Sequence, residues 1–212
     1  MPVEQVVTVL LPGSGAFSGS GTVALWDALT AAGRNLTGAA RVVVLRGAGA
    51  DFFDGRATDD SPAEPPVAAI GWLGRPDVIT VAAISGRATG PGLDVALACD
   101  LRIAAHDAEL APSHSIAGTA RLGELMGRPQ ALAFVLGGNV ISGWQAAENG
   151  VVNTSVESTK LDAAVADLVA NVLRTPREVA TVAKAALLES ASDRRRLGDA
   201  LAAGIRLAAN EP

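Results

Sequence analysis

The sequence holds a single cysteine, Cys99, so no disulfide framework can form within it. It holds two histidines, His106 and His114, too few beside one cysteine for an ordinary zinc site. No apolar run reaches the roughly 18 residues that a membrane-spanning helix needs. The N-terminal MPVEQVVTVLLPGSG lacks the positive start of a secretory signal and reads as part of the fold. Basic charge is scarce: the net charge is −5, and the one basic run, Arg194-Arg195-Arg196, is short. Nucleic acid is therefore a poor partner. Lysine is nearly absent (Lys160 and Lys184), which reads as coding bias toward arginine. There is no G-x-S-x-G elbow and no G-K-[S/T] loop, which excludes an α/β-hydrolase serine and a Walker A phosphate cradle.

What remains is an apolar chain. Of its 212 residues, 49% are hydrophobic and 18% charged, which excludes disorder and is enough for one domain with its own core. The expectation is a soluble cytoplasmic protein.

β-branched runs at 6–11, 41–45 and 78–84 predict buried strands, and 101–104 predicts a fourth. Helical spacing is read at 22–34, 67–73, 91–99, 121–126, 129–136, 142–149, 161–173, 176–190 and 193–209, with a short strand at 151–156. Ser142 and Thr175 stand where N-caps belong, with Pro176 at a first helical position. Strands alternating with helices predict an α/β fold with a largely parallel sheet. The stretch 48–66 is a long loop with five acids (Asp51, Asp54, Asp59, Asp60 and Glu64) and three prolines; such loops in compact domains are usually functional. Gly13-Ser14-Gly15-Ala16-Phe17-Ser18 is one residue short of a pyrophosphate turn. Arg46-Gly47 replaces the acid a dinucleotide site needs, so it reads as a polar loop. Cys99 reads as inert core and His106 as surface.

Four segments carry more: RVVVLRGAGADFFDGRAT (41–58), VITVAAISGRATGPGLDVALACDLRIAA (78–105), AELAPSHSIAG (108–118) and LGGNVISGWQAAENGVVN (136–153). Together they resemble the crotonase (enoyl-CoA hydratase/isomerase) superfamily. There, a strand ending in L-x-G precedes F-x-x-G-A-D. A turn N-G-x-A-x-G-G-G-x-E opens a helix that runs to C-D-x-R-x-A. A-x-F-G-x-P-E and a late L-T-G-x-x-x-x-A-x-x-A-x-x-G-L-V-N follow. The resemblance covers about residues 40–175, and Ser85 to Asp100 matches without a gap. It implies a crotonase-like ββα spiral core over 1–155, a helical region over 156–212 serving oligomerisation, and a homotrimer or hexamer.

The resemblance also implies chemistry through an enolate. Two backbone N–H groups face a thioester oxygen and stabilise the charge it gains, one of them at a helix N-terminus where the dipole assists. Carboxylates move the protons. Carried over, the first donor falls on Arg56, after Phe52-Phe53-Asp54-Gly55. The second falls on Pro91, in the middle of Gly90-Pro91-Gly92. Proline has no N–H, so that donor is missing unless Gly92 takes its place; proline is equally suited to a first helical position. The two family glutamates fall on Asp94 and His114, a carboxylate–imidazole pair that would handle protons near neutral pH. Asp94 also suits the first turn of a helix, and a lone loop histidine also suits the surface. Asp54 either enters the pocket beside Arg56 or pairs with it in solvent.

Some family features differ. Leu11-Pro12-Gly13 replaces the N-R-P that helps hold CoA, the stretch after Thr119 is short, and the chain stops at Pro212 ahead of the family's last helix. The first functional expectation is an enoyl-CoA hydratase/isomerase-like enzyme acting on an acyl-CoA thioester or related carbonyl compound, with no further cofactor and no metal. Two others stand beside it: a non-CoA tailoring enzyme, such as a C–C hydrolase or cyclisation catalyst, and a non-catalytic homologue.

Overall fold

The computed structural model describes residues 5–13, 19–55, 64–112 and 114–188. Arg56, most of the Gly13–Ser18 turn, the expected helix at 193–209 and the run Arg194–Arg196 lie outside the described residues. In chain order the elements are β1 (Val6–Leu11), α1 (Gly19–Asn35), β2 (Val42–Gly47), β3 (Phe53–Asp54), α2 (Val67–Ile70), β4 (Ile79–Ile84), β5 (Arg87–Thr89), α3 (Pro91–Ala98), β6 (Leu101–Ala105), β7 (Glu109–Ala111), α4 (Ile116–Met126), α5 (Arg128–Gly137), β8 (Ile141–Ser142), α6 (Gly143–Glu148), β9 (Thr154–Val156) and α7 (Leu161–Arg174). Residues 177–188 are helical as well.

The strands form two sheets. One is five-stranded in the order β1-β2-β4-β6-β9, every pairing parallel. The other is four-stranded, β3-β5-β7-β8, with only its last pairing antiparallel. A parallel sheet is covered on both faces, which is why its strands read as unbroken apolar runs. Alternation along each strand then divides the core. Val43, Leu45, Ala82, Ile84 and Ala104 face the main core with α1 and α3. Val42, Val44, Val81, Ala83 and Ile103 face Leu161, Val165 and Val169 of α7.

The structure differs from the sequence expectations in small elements. β3, β5 and β8 are too short to show a period. Within 151–156 only Thr154–Val156 pairs as strand. Val151 and Val152 instead give their N–H groups to Ala146 O, at 2.8 and 3.2 Å, and wrap the end of α6. α4 begins at Ile116 rather than Arg121, because Ser115 caps it by accepting from Gly118 N–H. Ser142 caps α6 in a reciprocal box with Gln145. His106 is half-buried: its Nδ1 lies 3.0 Å from Ser155 Oγ and its ring meets Trp144 edge-on at 5.2 Å.

One buried cation ties the last described helix to the sheet. Lys184 Nζ donates to Leu73 O (2.8 Å), Val78 O (2.7 Å) and Asp100 Oδ2 (2.8 Å). Asp100 Oδ2 also accepts from Thr80 N–H and its hydroxyl, at 2.7 and 2.9 Å. Arg102 is buried too, donating to Val151 O at 2.8 Å and Cys99 O at 2.6 Å, and burial lowers its pKa. Burial pushes the Cys99 thiol up to about 12.

Two outcomes follow. Lys184→Met leaves two buried carbonyls and a carboxylate without their cation. It is expected to cost about 3–5 kcal/mol and to lower Tm by roughly 10 °C in a thermal melt. Cys99 is expected to resist a disulfide-exchange thiol reagent at pH 8 in the native protein and to react fully once guanidinium unfolds it.

Candidate active site

A backbone contact sets the geometry. A Cβ at Gly92 would lie 2.4 Å from Phe53 O, so only glycine lets the start of α3 rest on β3. Gly90, immediately before α3, has φ +51°, a conformation that favours glycine. Its N–H donates to Ala111 O at 3.1 Å, which holds the end of β7 against the same turn. Pro91 is the first residue of α3, where a missing N–H costs no helical bond. Gly92 and Leu93 complete the first turn, where an α-helix has no carbonyls to offer its N–H groups. Asp94 N–H reaches back to Gly90 O at 3.1 Å.

The Asp94 side chain is buried, with 7% exposure. Ser115 Oγ donates to Asp94 Oδ1 at 2.8 Å and accepts from Gly118 N–H at 2.9 Å. A Cβ at Gly118 would lie 2.1 Å from Asp94 Oδ1, so the carboxylate sits directly on the first turn of α4. The same turn receives a second carboxylate. Glu64 accepts from Ile116 N–H and, at 3.2 Å, from Ala117 N–H. A cavity of about 210 Å³ opens here, lined by Pro65, Ile70, Leu73, Asp94, Leu97 and Ala117, among others. A second cavity of about 360 Å³ shares Asp100, Arg121 and Leu188 with it and adds apolar wall from Ile79, Leu101 and Val172.

The residues singled out in the sequence are distributed as follows. Gly90, Pro91, Gly92 and Asp94 come together at the start of α3. His114 stands just ahead of α4 with an exposed side chain. Asp54 is held by β5: Thr89 Oγ1 donates to it at 2.7 Å, and Arg87 Nη1 lies 3.2 Å away. Gly55 N–H donates to Thr89 Oγ1 at 3.1 Å, which fixes the chain just before Arg56. Among the described residues, no three His, Cys, Asp or Glu side chains gather where a metal would be held.

Sequence reasoning misses Ser115 and Glu64. Ser115 has a local signal, a serine three residues ahead of glycine at the start of an apolar helix, which reads as an N-cap. Glu64 has none, since its partners lie 52 and 53 residues away.

Comparison with known proteins places this geometry. The enoyl-CoA hydratase/isomerase family profile matches residues 16–209. A mitochondrial protein of Arabidopsis thaliana, "Probable enoyl-CoA hydratase 2", is 35% identical over 135 residues, 55% of this chain and 45% of the relative. The (E)-benzylidenesuccinyl-CoA hydratase of Thauera aromatica is 35% identical over 138 residues, 57% of this chain and 54% of the relative. These matches span about half the length of either relative. A Thermobifida fusca structure, assigned as an enoyl-CoA hydratase and solved with acetoacetyl-CoA, superposes with a TM-score of 0.72 at 29% identity, covering 91% of this chain and 86% of that one. With the profile spanning nearly every residue and the fold agreeing, the chain belongs to the enoyl-CoA hydratase/isomerase family.

Proposed function

We propose that this protein is an acyl-CoA enzyme that works through an enolate, adding water to a 2-enoyl thioester or moving its double bond. The observation that carries this reading is Asp94: a buried carboxylate at the N-terminal turn of α3, held by Ser115 and lining a cavity whose wall combines Ile70, Leu73 and Leu97 with Asp100 and Arg121. The thioester oxygen would lie against the first turn of α3, where free N–H groups and the helix dipole favour developing negative charge. Arg56 N–H would be one donor. Gly92 N–H would serve where Pro91 has none to offer. The apolar walls suit an acyl group, and the Thermobifida structure with acetoacetyl-CoA supports CoA as the carrier.

In hydration the water oxygen bonds to C3, the C2=C3 electron pair moves toward the thioester oxygen, and C2 then takes a proton. The net change is H and OH added across the double bond. Asp94 would carry the C2 proton. Its partner would come from the start of α4, where the sequence resemblance puts His114.

The alternative of a non-CoA tailoring enzyme draws on one feature, the missing N–H at Pro91. Thermal melts with a panel of CoA thioesters separate the two. A ligand of the native state present at a hundredfold over its Kd stabilises by about 2.7 kcal/mol. A Tm rise of several degrees with one acyl class is expected, and no shift at millimolar thioester would overturn the CoA reading. Asp94→Asn should keep the Ser115 hydrogen bond and fold normally, yet lower kcat on the best thioester by roughly 10²–10⁴. Pro91→Gly restores an N–H in the turn and is expected to raise kcat about tenfold or more, while lowering Tm slightly because the helix start loses its fixed φ.

A further inference from the structure

We infer that Glu64 is the water-activating base of this site, with Asp94 left to handle the C2 proton. The inference rests on the enolate reading above and names a residue that sequence resemblance does not reach. Glu64 lies in the acidic loop after β3, and its carboxylate docks on α4. It accepts from the N–H groups of Ile116 and Ala117, the latter at 3.2 Å. Asp94 meets the same turn through Ser115 Oγ at 2.8 Å and by close approach to Gly118. Both carboxylates therefore stand within one turn of α4, a rise of about 5.4 Å. Pro65, next to Glu64, lines the same cavity as Asp94 and Ala117.

The arrangement divides the labour. The N–H groups of Ile116 and Ala117 fix the Glu64 carboxylate at that turn. His114, at the position of the family's second glutamate, stands ahead of the helix turn that gathers the two acids, and its side chain is exposed like that of Glu64. The other titratable groups around this turn are Arg121 on α4, which pairs with Glu124 at 2.8 Å, and Asp100 beyond it, which is held by Lys184. In the step itself, Glu64 takes a proton as the water oxygen bonds to C3. The C2=C3 electron pair passes to the thioester oxygen as enolate. Asp94 then delivers its proton to C2. Glu64 ends protonated and Asp94 ionised, and transfer of that proton through solvent resets the pair.

Two assays separate this role from helix capping. Hydration of crotonyl-CoA needs both acids; exchange of the C2 protons of butyryl-CoA in D₂O needs only Asp94. Glu64→Gln keeps a carbonyl oxygen for the α4 N–H groups, so its Tm should stay within a degree or two of wild type. It is expected to lower hydration kcat by roughly 10²–10⁴, to leave KM nearly unchanged, and to leave C2 exchange within about threefold. Equal loss of both reactions in Glu64→Gln would mean a structural cap and overturn the inference, as would full hydration in that variant. If the wild type catalyses neither reaction, the enolate reading itself fails and this role falls with it. C2 exchange without hydration in the wild type keeps the enolate reading and overturns the role of Glu64 alone.

Discussion

The contact between Gly92 and the carbonyl of Phe53 is the constraint on which the site depends. At 2.4 Å from that oxygen to the place a Cβ would occupy, no side chain fits. The contact presses the start of α3 onto β3, and the adjoining Gly90 turn binds β7 through Ala111. Three segments far apart in sequence thus meet at one helix start. Each contributes backbone there: an N-terminal turn with unused N–H groups, the strand that leads to Arg56, and the strand that leads to α4. The site is a meeting of main chain first, and its side chains are arranged around it.

A second close approach completes it. Gly118 leaves room for the Asp94 carboxylate, so the N-termini of α3 and α4 converge on the same small volume. Ser115 joins them with one hydroxyl, accepting from α4 and donating to Asp94. Each helix start offers the positive end of its dipole there. In that setting Pro91 is a local loss inside a general electrostatic design, because the turn keeps the N–H groups of Gly92 and Leu93.

Behind the site the five-stranded sheet serves as a rigid partition. Its alternating residues supply two cores, one toward α1 and α3 and the other toward α7. The helical residues 177–188 are attached by Lys184, whose three hydrogen bonds satisfy its charge without solvent. Removing one partner of a buried ion pair is strongly destabilising in general. Here two carbonyls from different segments depend on the same ammonium, so the group also fixes how the last described helix lies across the sheet.

Much was legible from residues alone. The β-branched runs, the capped helix start at Ser142, the proline-led one at Pro91, and the spacing from Ser85 to Asp100 depend on near neighbours. Local pattern and family resemblance therefore suffice to mark β1, β2, β4, β6, α3 and the position of Asp94. Tertiary structure decided the rest. The pairings of β3, β5, β7 and β8 involve strands of two or three residues, too short to carry a period. Asp54 went to Arg87 and Thr89, more than thirty residues away, because parallel strand pairing places β5 beside β3. Ser115 and Glu64 joined Asp94 for a related reason: the fold brings the first turn of α4 to the loop and to α3 across 21 to 53 residues. A hydrogen bond at that separation leaves no trace in either local sequence, since each partner's own neighbours are satisfied without it.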